Sequence, residues 1–347
     1  MINSRLFDRY GIDTKKNLQM KSYCPRPFDT LLIDQQGACF LCECTSWLPQ
    51  SVGNIQIQSI DEILVTRQAQ ELQHSIMDGS YRYCNTAQCS YLQVKSAQDK
   101  VFRREVPVGS LRYIRIAIDN SCNLRCPSCR HDAIMIKDTR TIRNKKRWCD
   151  RIIDYIREAS QPLQVHIGSD GDPFASLVYR YFITHAPTRP SVTYSVQTNG
   201  LLLKKMFYRF QHIADRLDTV HISCDGATPG TYEGLRLGGR WNQISDNLKF
   251  LKTIKQQYGL NTQLHVVVQQ ENYKELNRFI DMAQHYQFDR IYFNRIQNWN
   301  TGLNFDSANV FDPKHPEYQI CQNLIQDIMR MRTSLPHKFI EGTAIPY

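Results

Sequence analysis

Ile116-Ala-Ile-Asp-Asn-Ser-Cys122-Asn-Leu-Arg-Cys126-Pro-Ser-Cys129-Arg130 is the stretch on which the reading of this chain turns. The apolar residues Ile116 to Ile118 read as a buried strand, and the strand runs straight into three cysteines spaced CxxxCxxC. Three thiolates at this spacing can hold three irons of a cubane cluster and leave the fourth iron without a protein ligand. An open position is what chemistry needs and what a closed structural site lacks. The spacing would also fit one face of a helix, but Pro127 lies inside the run and disfavours a helix there. The cysteines are therefore expected on a loop after a strand, the place where a parallel α/β barrel keeps its chemistry.

Outward from this loop, strand and helix patterns alternate from residue 111 onward. Strands are expected over 112–118, 163–168, 192–197, 219–224, 263–268 and 290–294. Between them run helical stripes such as Trp148, Ile152, Ile153 and Ile156, then Ile244, Leu248 and Leu251, then Leu276, Phe279, Ile280 and Ala283. Six alternations predict parallel strands joined by right-handed crossovers, hence an α/β barrel or open sheet. Alternation inside the strands separates two faces: His166, Ser195, Gln197, His221, Ser223, Asp225 and His265 share the polar one. With helices covering the apolar faces, the polar faces must point inward. A barrel normally fills its centre with branched apolar side chains, so a polar lining predicts a wet, ligand-binding cavity.

Before the strand lies a second group of cysteines. Residues 1–22 are expected as an arm, 23–92 as a compact cysteine-bearing unit, 93–110 as a linker, 111–300 as the barrel and 301–347 as a C-terminal helical extension. In the cysteine-bearing unit, Leu31–Ile33 and Ala38–Leu41 read as short strands around the turn Asp34-Gln-Gln-Gly37. Ser59-Ile-Asp-Glu62 has capping-box spacing and opens a helical pattern that reaches Met77. Ile320, Leu324, Ile325, Ile328 and Met329 form a C-terminal helix stripe; 333–347 show no clear pattern.

The totals bound the class. With 347 residues, 41% hydrophobic and 22% charged, the chain has ample core and no composition of disorder. Its 12 cysteines come without a signal-peptide core near the N-terminus and without an apolar run of membrane-spanning length. The thiols are therefore expected as metal or cluster ligands in the cytoplasm rather than as disulfides, with no membrane role. Cys149, Cys224 and Cys321 fall on apolar stripes and read as core residues. The net charge of +10 either attracts an acidic partner such as nucleic acid or is simply a solvated surface. The densest basic run, Arg140 to Arg147, sits at an expected loop-to-helix junction and reads as solvated.

The loop Cys122-x-x-x-Cys126-x-x-Cys129 after a first barrel strand resembles the radical S-adenosylmethionine (radical SAM) enzymes. Further stretches follow in the family's order. Ser169-Asp-Gly-Asp-Pro-Phe174 stands where the family has Gly-Gly-Glu-Pro, Thr198-Asn-Gly200 follows the third strand, and His221 to Arg236 resembles the family's SxDG…TYExxR segment. The resemblance implies a partial (β/α)6 barrel whose four-iron, four-sulfur cluster is held by Cys122, Cys126 and Cys129. S-adenosylmethionine would chelate the open iron, and Ser169, Asp170, Gly171, Asp172, Gln197, Asn199, Ser223, Asp225 and Arg236 are the residues expected to bind it. Cleavage of its sulfonium by one electron would give a 5'-deoxyadenosyl radical that takes hydrogen from a substrate. The usual Gly-Gly-Glu is Asp170-Gly171-Asp172 here, and the aromatic often found before the last cluster cysteine is Ser128.

The N-terminal unit is similar to the SPASM/Twitch auxiliary-cluster domains, which normally follow the barrel. Cys24, Gly37 and Cys42 fit the pattern Cx9–15Gx4C, and the Cys84/Cys89 pair closes the unit. This similarity implies one auxiliary 4Fe-4S cluster on Cys24, Cys42, Cys84 and Cys89, with Cys39 and Cys44 as spare or alternative ligands. Four thiolates would suit a structural zinc equally well. Because this architecture is common among peptide-maturing members, the expected substrate is a peptide or protein side chain, modified by cross-linking, epimerisation or oxidation. The expected electron source is a flavodoxin- or ferredoxin-type donor. Oxidation of a small molecule such as a sugar or nucleotide is a second reading, and a non-catalytic iron–sulfur or zinc protein that binds nucleic acid a third.

Overall fold

Strand by strand, the six expected barrel strands are present. The computed structural model describes residues 23–93, 111–332, 334–336 and 339–345. The expected arm 1–22 and nearly all of the expected linker, 94–110, lie outside the described residues. The chain divides into two compact units.

The first unit holds the described residues up to Asp119, with Asp138–Asp170 and His185–Thr193. Its strands are β1 (Thr30–Ile33), β2 (Ala38–Phe40), β3 (Gly53–Asn54), β4 (Tyr113–Ile116) and β5 (Leu163–Ile167). All four residues of β1 are buried, as expected for a strand with a neighbour on each edge. It pairs antiparallel with β2 through Leu32↔Phe40 and parallel with β4 through Leu32↔Arg115. β2 pairs with β3, and β4 pairs parallel with β5 through Arg115↔His166. The cysteine-bearing segment therefore extends the sheet that carries the first two barrel strands.

The helical pattern from Ser59 to Met77 is divided into α1 (Ile60–Leu64) and α2 (Arg67–Met77). Ser59 and Glu62 form the reciprocal capping box that their spacing suggested. The division falls at Thr66, whose hydroxyl donates to the Val52 carbonyl at 2.7 Å and accepts from the amide of Ala69. α3 (Thr139–Glu158) starts at Asp138, whose carboxylate accepts from the Thr141 amide. This helix contains the whole basic run, and one member departs from the solvated reading. Lys145 is buried, and its Nζ donates to the carbonyls of Gln35 and Ile118, each at 2.6 Å. A buried ammonium is tolerable because it is hydrogen-bonded in this way.

The second unit holds Asn120–Lys137, Gly171–Thr184 and the described residues from Tyr194 on. β6 (Val192–Thr198), from Tyr194 on, pairs parallel with β7 (Leu217–Ser223), followed by β8 (Asn261–Val268) and β9 (Arg290–Arg295). A further strand, β10 (Ile340–Glu341), pairs parallel with β9 through Glu341↔Tyr292, so the sheet continues into a segment whose sequence showed no pattern. Helices α4 (Leu177–His185), α5 (Leu203–Phe207), α6 (Pro229–Leu235), α7 (Trp241–Tyr258) and α8 (Leu276–His285) follow the strands, and α9 (Tyr318–Arg332) is the expected C-terminal helix. α6 has Pro229 at its first position and Thr228 as its cap, and α7 stops at Gly259, which adopts φ 66°. Cys149, Cys224 and Cys321 are buried in their units, as core residues. Among the described residues, no helix is long and apolar enough to cross a membrane.

Candidate functional site

The CxxxCxxC segment is a loop without helix, as Pro127 required. It is tied down through its backbone: the Cys122 amide donates to the Ile134 carbonyl, the Arg125 amide to Leu237, and the Thr301 hydroxyl to the Pro127 carbonyl at 2.6 Å. Cys122 and Cys126 are buried and Cys129 is exposed. Each of the three sulfurs has a donor nearby. Asn199 Nδ2 lies 3.7 Å from Cys122 Sγ, Arg236 Nη1 3.7 Å from Cys126 Sγ, and Arg130 Nη2 3.4 Å from Cys129 Sγ. Burial pushes the Cys126 thiol up to about 11, with the Arg236 guanidinium opposing, and pushes Cys122 up as well.

Arg236 is paired within this unit: its Nη2 stands 2.9 Å from Asp225 Oδ2. Burial alone would lower the guanidinium, but the Asp225 carboxylate and the Cys126 sulfur outweigh it, so Arg236 stays charged. Its Nε is buried and has no hydrogen-bond partner. Asp225 is also anchored to the chain, accepting from the Val267 amide at 2.8 Å. The glycine after it is obligatory: a Cβ on Gly226 would come within 2.2 Å of the Tyr232 nitrogen. Glu275 holds the following turn, accepting from the Ala227 amide and from the hydroxyls of Thr228 and Thr231.

Asp172, expected at the cofactor, is 1% exposed, and its carboxylate is engaged by four donors of the chain. Oδ1 accepts from the Phe174 and Ala175 amides, and Oδ2 from the Thr198 hydroxyl at 2.7 Å and the Asn199 amide at 2.8 Å. Burial pushes its carboxyl up, against the pull of those donors. Asp172 therefore clamps the loop after β5 to the end of β6, and in doing so it orients Asn199 toward Cys122. Gly171 adopts φ 70°, which suits glycine.

The polar faces of β6 to β10 fall into register. Gln197, His221, Gln263 and Arg290 form one row across the strands, and Ser223, His265, Tyr292 and Glu341 form the next. The rows are linked where His221 Nδ1 approaches His265 Nε2 at 3.1 Å, and His265 stacks on Tyr292 with ring centroids 4.8 Å apart.

In the first unit, the four expected auxiliary thiols come together. Cys24, Cys42, Cys84 and Cys89 line one cavity with Arg26, Trp47, Tyr81 and Tyr91. Cys39 and Cys44 do not line it. Burial pushes Cys24, Cys42 and Cys84 up to about 12, and neighbouring thiols of the set add to each shift. Among the described residues, no three His, Cys, Asp or Glu side chains stand close enough to chelate a single ion. The four cysteines instead share the lining of that cavity. Arg26 forms an ion pair with Glu43 at 3.2 Å. Ser169 and Asp170 also belong to this unit: Arg115 Nε donates to Ser169 Oγ at 2.8 Å, and Gln35 Nε2 to Asp170 Oδ2 at 3.3 Å.

Sequence reasoning missed Arg130, Arg115, Glu275 and Tyr292. Arg130 directly follows the last cysteine and was visible there. The other three act across long separations that no local pattern marks.

A parallel α/β scaffold with three thiols on the loop after a strand, and four more lining a cavity, defines a protein built to hold metal or clusters. Residues 116–283 match the radical SAM superfamily, and residues 24–90 match the SPASM iron–sulfur cluster-binding domain. The chain carries a radical SAM domain, with a SPASM domain ahead of it. Among solved structures it is similar to SuiB of Streptococcus suis bound to precursor peptide SuiA, at 13% identity and TM-score 0.47, covering 79% of this chain and 62% of that one. It is also similar to anSMEcpe with bound AdoMet and Cp18Cys peptide, at 14% identity and TM-score 0.44, covering 64% of this chain and 59% of that one. A third is anSMEcpe with AdoMet alone, at 15% identity and TM-score 0.46, covering 66% and 63%. The chain thus spans about three fifths of the length of these structures. No curated protein matches it.

The residues present fit the groups these domains hold. Three thiols with N–H donors beside them suit a four-iron cluster with one open iron. The orphaned Arg236 Nε suits an added acceptor such as a carboxylate. The cavity with four cysteines in its lining suits a second, closed cluster.

Proposed function

We propose that this protein is a radical SAM enzyme that abstracts hydrogen from a peptide or protein side chain. The observation that carries the reading is the environment of Cys122, Cys126 and Cys129, each sulfur faced by its own amide or guanidinium donor. Donors of this kind stabilise thiolate ligands and set the potential of a cluster. When bound, the cluster and S-adenosylmethionine supply a 5'-deoxyadenosyl radical by one-electron cleavage of the sulfonium. The chain's part is to bind and orient. Cys122, Cys126 and Cys129 hold the metal, Arg236 offers its unused Nε to the carboxylate of the cofactor, and Asp225 fixes the guanidinium. Asp172 acts through Asn199 as a positioning residue. The two polar rows, with Ser223 and Gln197 among them, line the inner face where the nucleoside and the substrate are received.

The SPASM domain supports the peptide as substrate, since this architecture is common among members that mature peptides. The four thiols Cys24, Cys42, Cys84 and Cys89 hold the auxiliary cluster in this reading. A small reduced protein of the flavodoxin or ferredoxin type supplies the electron.

Anaerobic reconstitution with iron and sulfide counting tests the assignment. Wild type should take up about eight irons per chain and cleave S-adenosylmethionine to 5'-deoxyadenosine under strong reductant. Cys126→Ala should lose cleavage and keep about four irons. Cleavage that survives in Cys126→Ala would remove the basis of the proposal, and an iron count near four in wild type would remove the auxiliary cluster.

A further inference from the structure

The loop after β5 is unusual in its backbone. Gly168, Ser169 and Gly171 all adopt positive φ, at 102°, 116° and 70°. For Ser169, which has a side chain, this conformation is strained, and it persists only where the surroundings hold it. The surroundings here are specific. Arg115, on β4, sends Nε to Ser169 Oγ at 2.8 Å and Nη1 to the Glu43 carbonyl at 2.7 Å. Glu43 stands between Cys42 and Cys44, and its carboxylate pairs with Arg26, which lines the thiol cavity with Cys42. A second strut runs in parallel: Gln35, in the β1–β2 turn, donates to Asp170, while its own carbonyl accepts from buried Lys145. Two elements of the cysteine-bearing segment thus grip two adjacent residues of one strained loop.

We propose that Arg115 is a positioning residue that couples the auxiliary thiol centre to the Ser169–Asp170 loop, so that filling the centre sets this loop for S-adenosylmethionine. The inference rests on the functional reading above for the loop's ligand. The logic is geometric. Ligation of Cys42 restrains the residue that follows it, and the Glu43 carbonyl stands one peptide beyond the ligand, between Cys42 and Cys44. The planar guanidinium of Arg115 joins the carbonyl to Ser169 Oγ through two nitrogens in a rigid plane, so displacement at one end is felt at the other. With the centre empty, the carbonyl is freer, the guanidinium is less fixed, and Ser169 can relax out of its positive φ.

Two measurements test this on the full chain. The first is hydrogen exchange of a peptide covering residues 168–172, before and after reconstitution. Reconstitution should slow exchange in wild type, and Arg115→Ala should remove that difference. The second is the Kd for S-adenosylmethionine in a cycle of Arg115→Ala and Cys84→Ala. Cys84 has no contact with Glu43 or Arg115 among the bonds described, so its removal empties the auxiliary centre without touching the strut. Each single variant should raise Kd about five- to tenfold, and the double variant should be no weaker than the weaker single. A wild-type Kd in Cys84→Ala, or effects that multiply in the double variant, would overturn the proposal. Should Arg115→Ala not fold, Ser169→Ala removes the acceptor alone and must give the same loss of protection. If reconstituted wild type does not bind S-adenosylmethionine at all, the functional reading fails, while the exchange comparison still decides the coupling.

Discussion

At the scale of single residues, Asp172 is 1% exposed and is held entirely by donors of its own chain. The three cysteines, Asn199, Asp225 and Arg236 could be picked out because motif spacing marks them. That Asp172 spends all its acceptor capacity on Phe174, Ala175, Thr198 and Asn199 could not, because those partners are chosen by the fold of two separate loops. Asp172→Asn should therefore behave as a stability variant. Whichever way the amide turns, an NH2 faces backbone N–H donors, and the cost should be about 1–3 kcal/mol in urea denaturation of the metal-free protein. Arg236→Lys keeps the charge next to Asp225 but removes Nε. The Kd for S-adenosylmethionine should rise about ten- to hundredfold, with iron content unchanged. A Kd equal to that of wild type in calorimetric titration would mean that the orphaned nitrogen has another use.

At the scale of elements, periodicity was the reliable guide and interruption the unreliable one. All six barrel strands were legible because alternation of apolar and polar residues needs no tertiary information. The break between α1 and α2 was not, because the stripe Ile63, Leu72, Ile76 runs through it, and Thr66 becomes a cap only where the Val52 carbonyl meets its hydroxyl. Thr66→Val should cost about 1 kcal/mol by thermal melting, and Ser59→Ala a similar amount at the start of α1. β10 was invisible for a simpler reason: two residues carry no period. Its Glu341 nonetheless completes the row with Tyr292, His265 and Ser223, so part of the polar lining was unreadable in advance. Lys145 shows the same limit from the other side. Arg140, Arg143 and Arg147 in the same run are exposed, and Lys145 differs by meeting the carbonyls of Gln35 and Ile118 and the ring of Trp148.

At the scale of the whole molecule, twelve cysteines without a disulfide make its stability depend on pH and on metal. Burial pushes the Cys224 thiol up to about 12, and pushes Cys149 upward too. An unfolded chain titrates these groups near 8.5. Their folded pKa values are raised, so the stability they lend is complete below that point and is lost as pH climbs toward the folded values. The metal-free protein should show a melting temperature that falls steadily above about pH 8.5, and Cys224→Ala should flatten the fall. A flat profile in wild type up to pH 10 would contradict the burial of these thiols. Iron loading should work in the opposite sense for the cluster cysteines, since each ligand gives up its proton on binding. Chelation of the metal should accordingly lower the melting temperature of the loaded protein.

The pairing of β1 with β4 also has a consequence for synthesis. β1 is made before β4 and, with its four buried residues, has one edge that β2 can cover at once. Its other edge waits for β4, so a nascent chain presents an open apolar strand until translation has passed residue 116. Delivery of iron and sulfide to the early thiols before that point would meet a half-built sheet. Production of this protein should therefore gain from chaperones that cover this edge until β4 emerges, beyond any gain from iron supply.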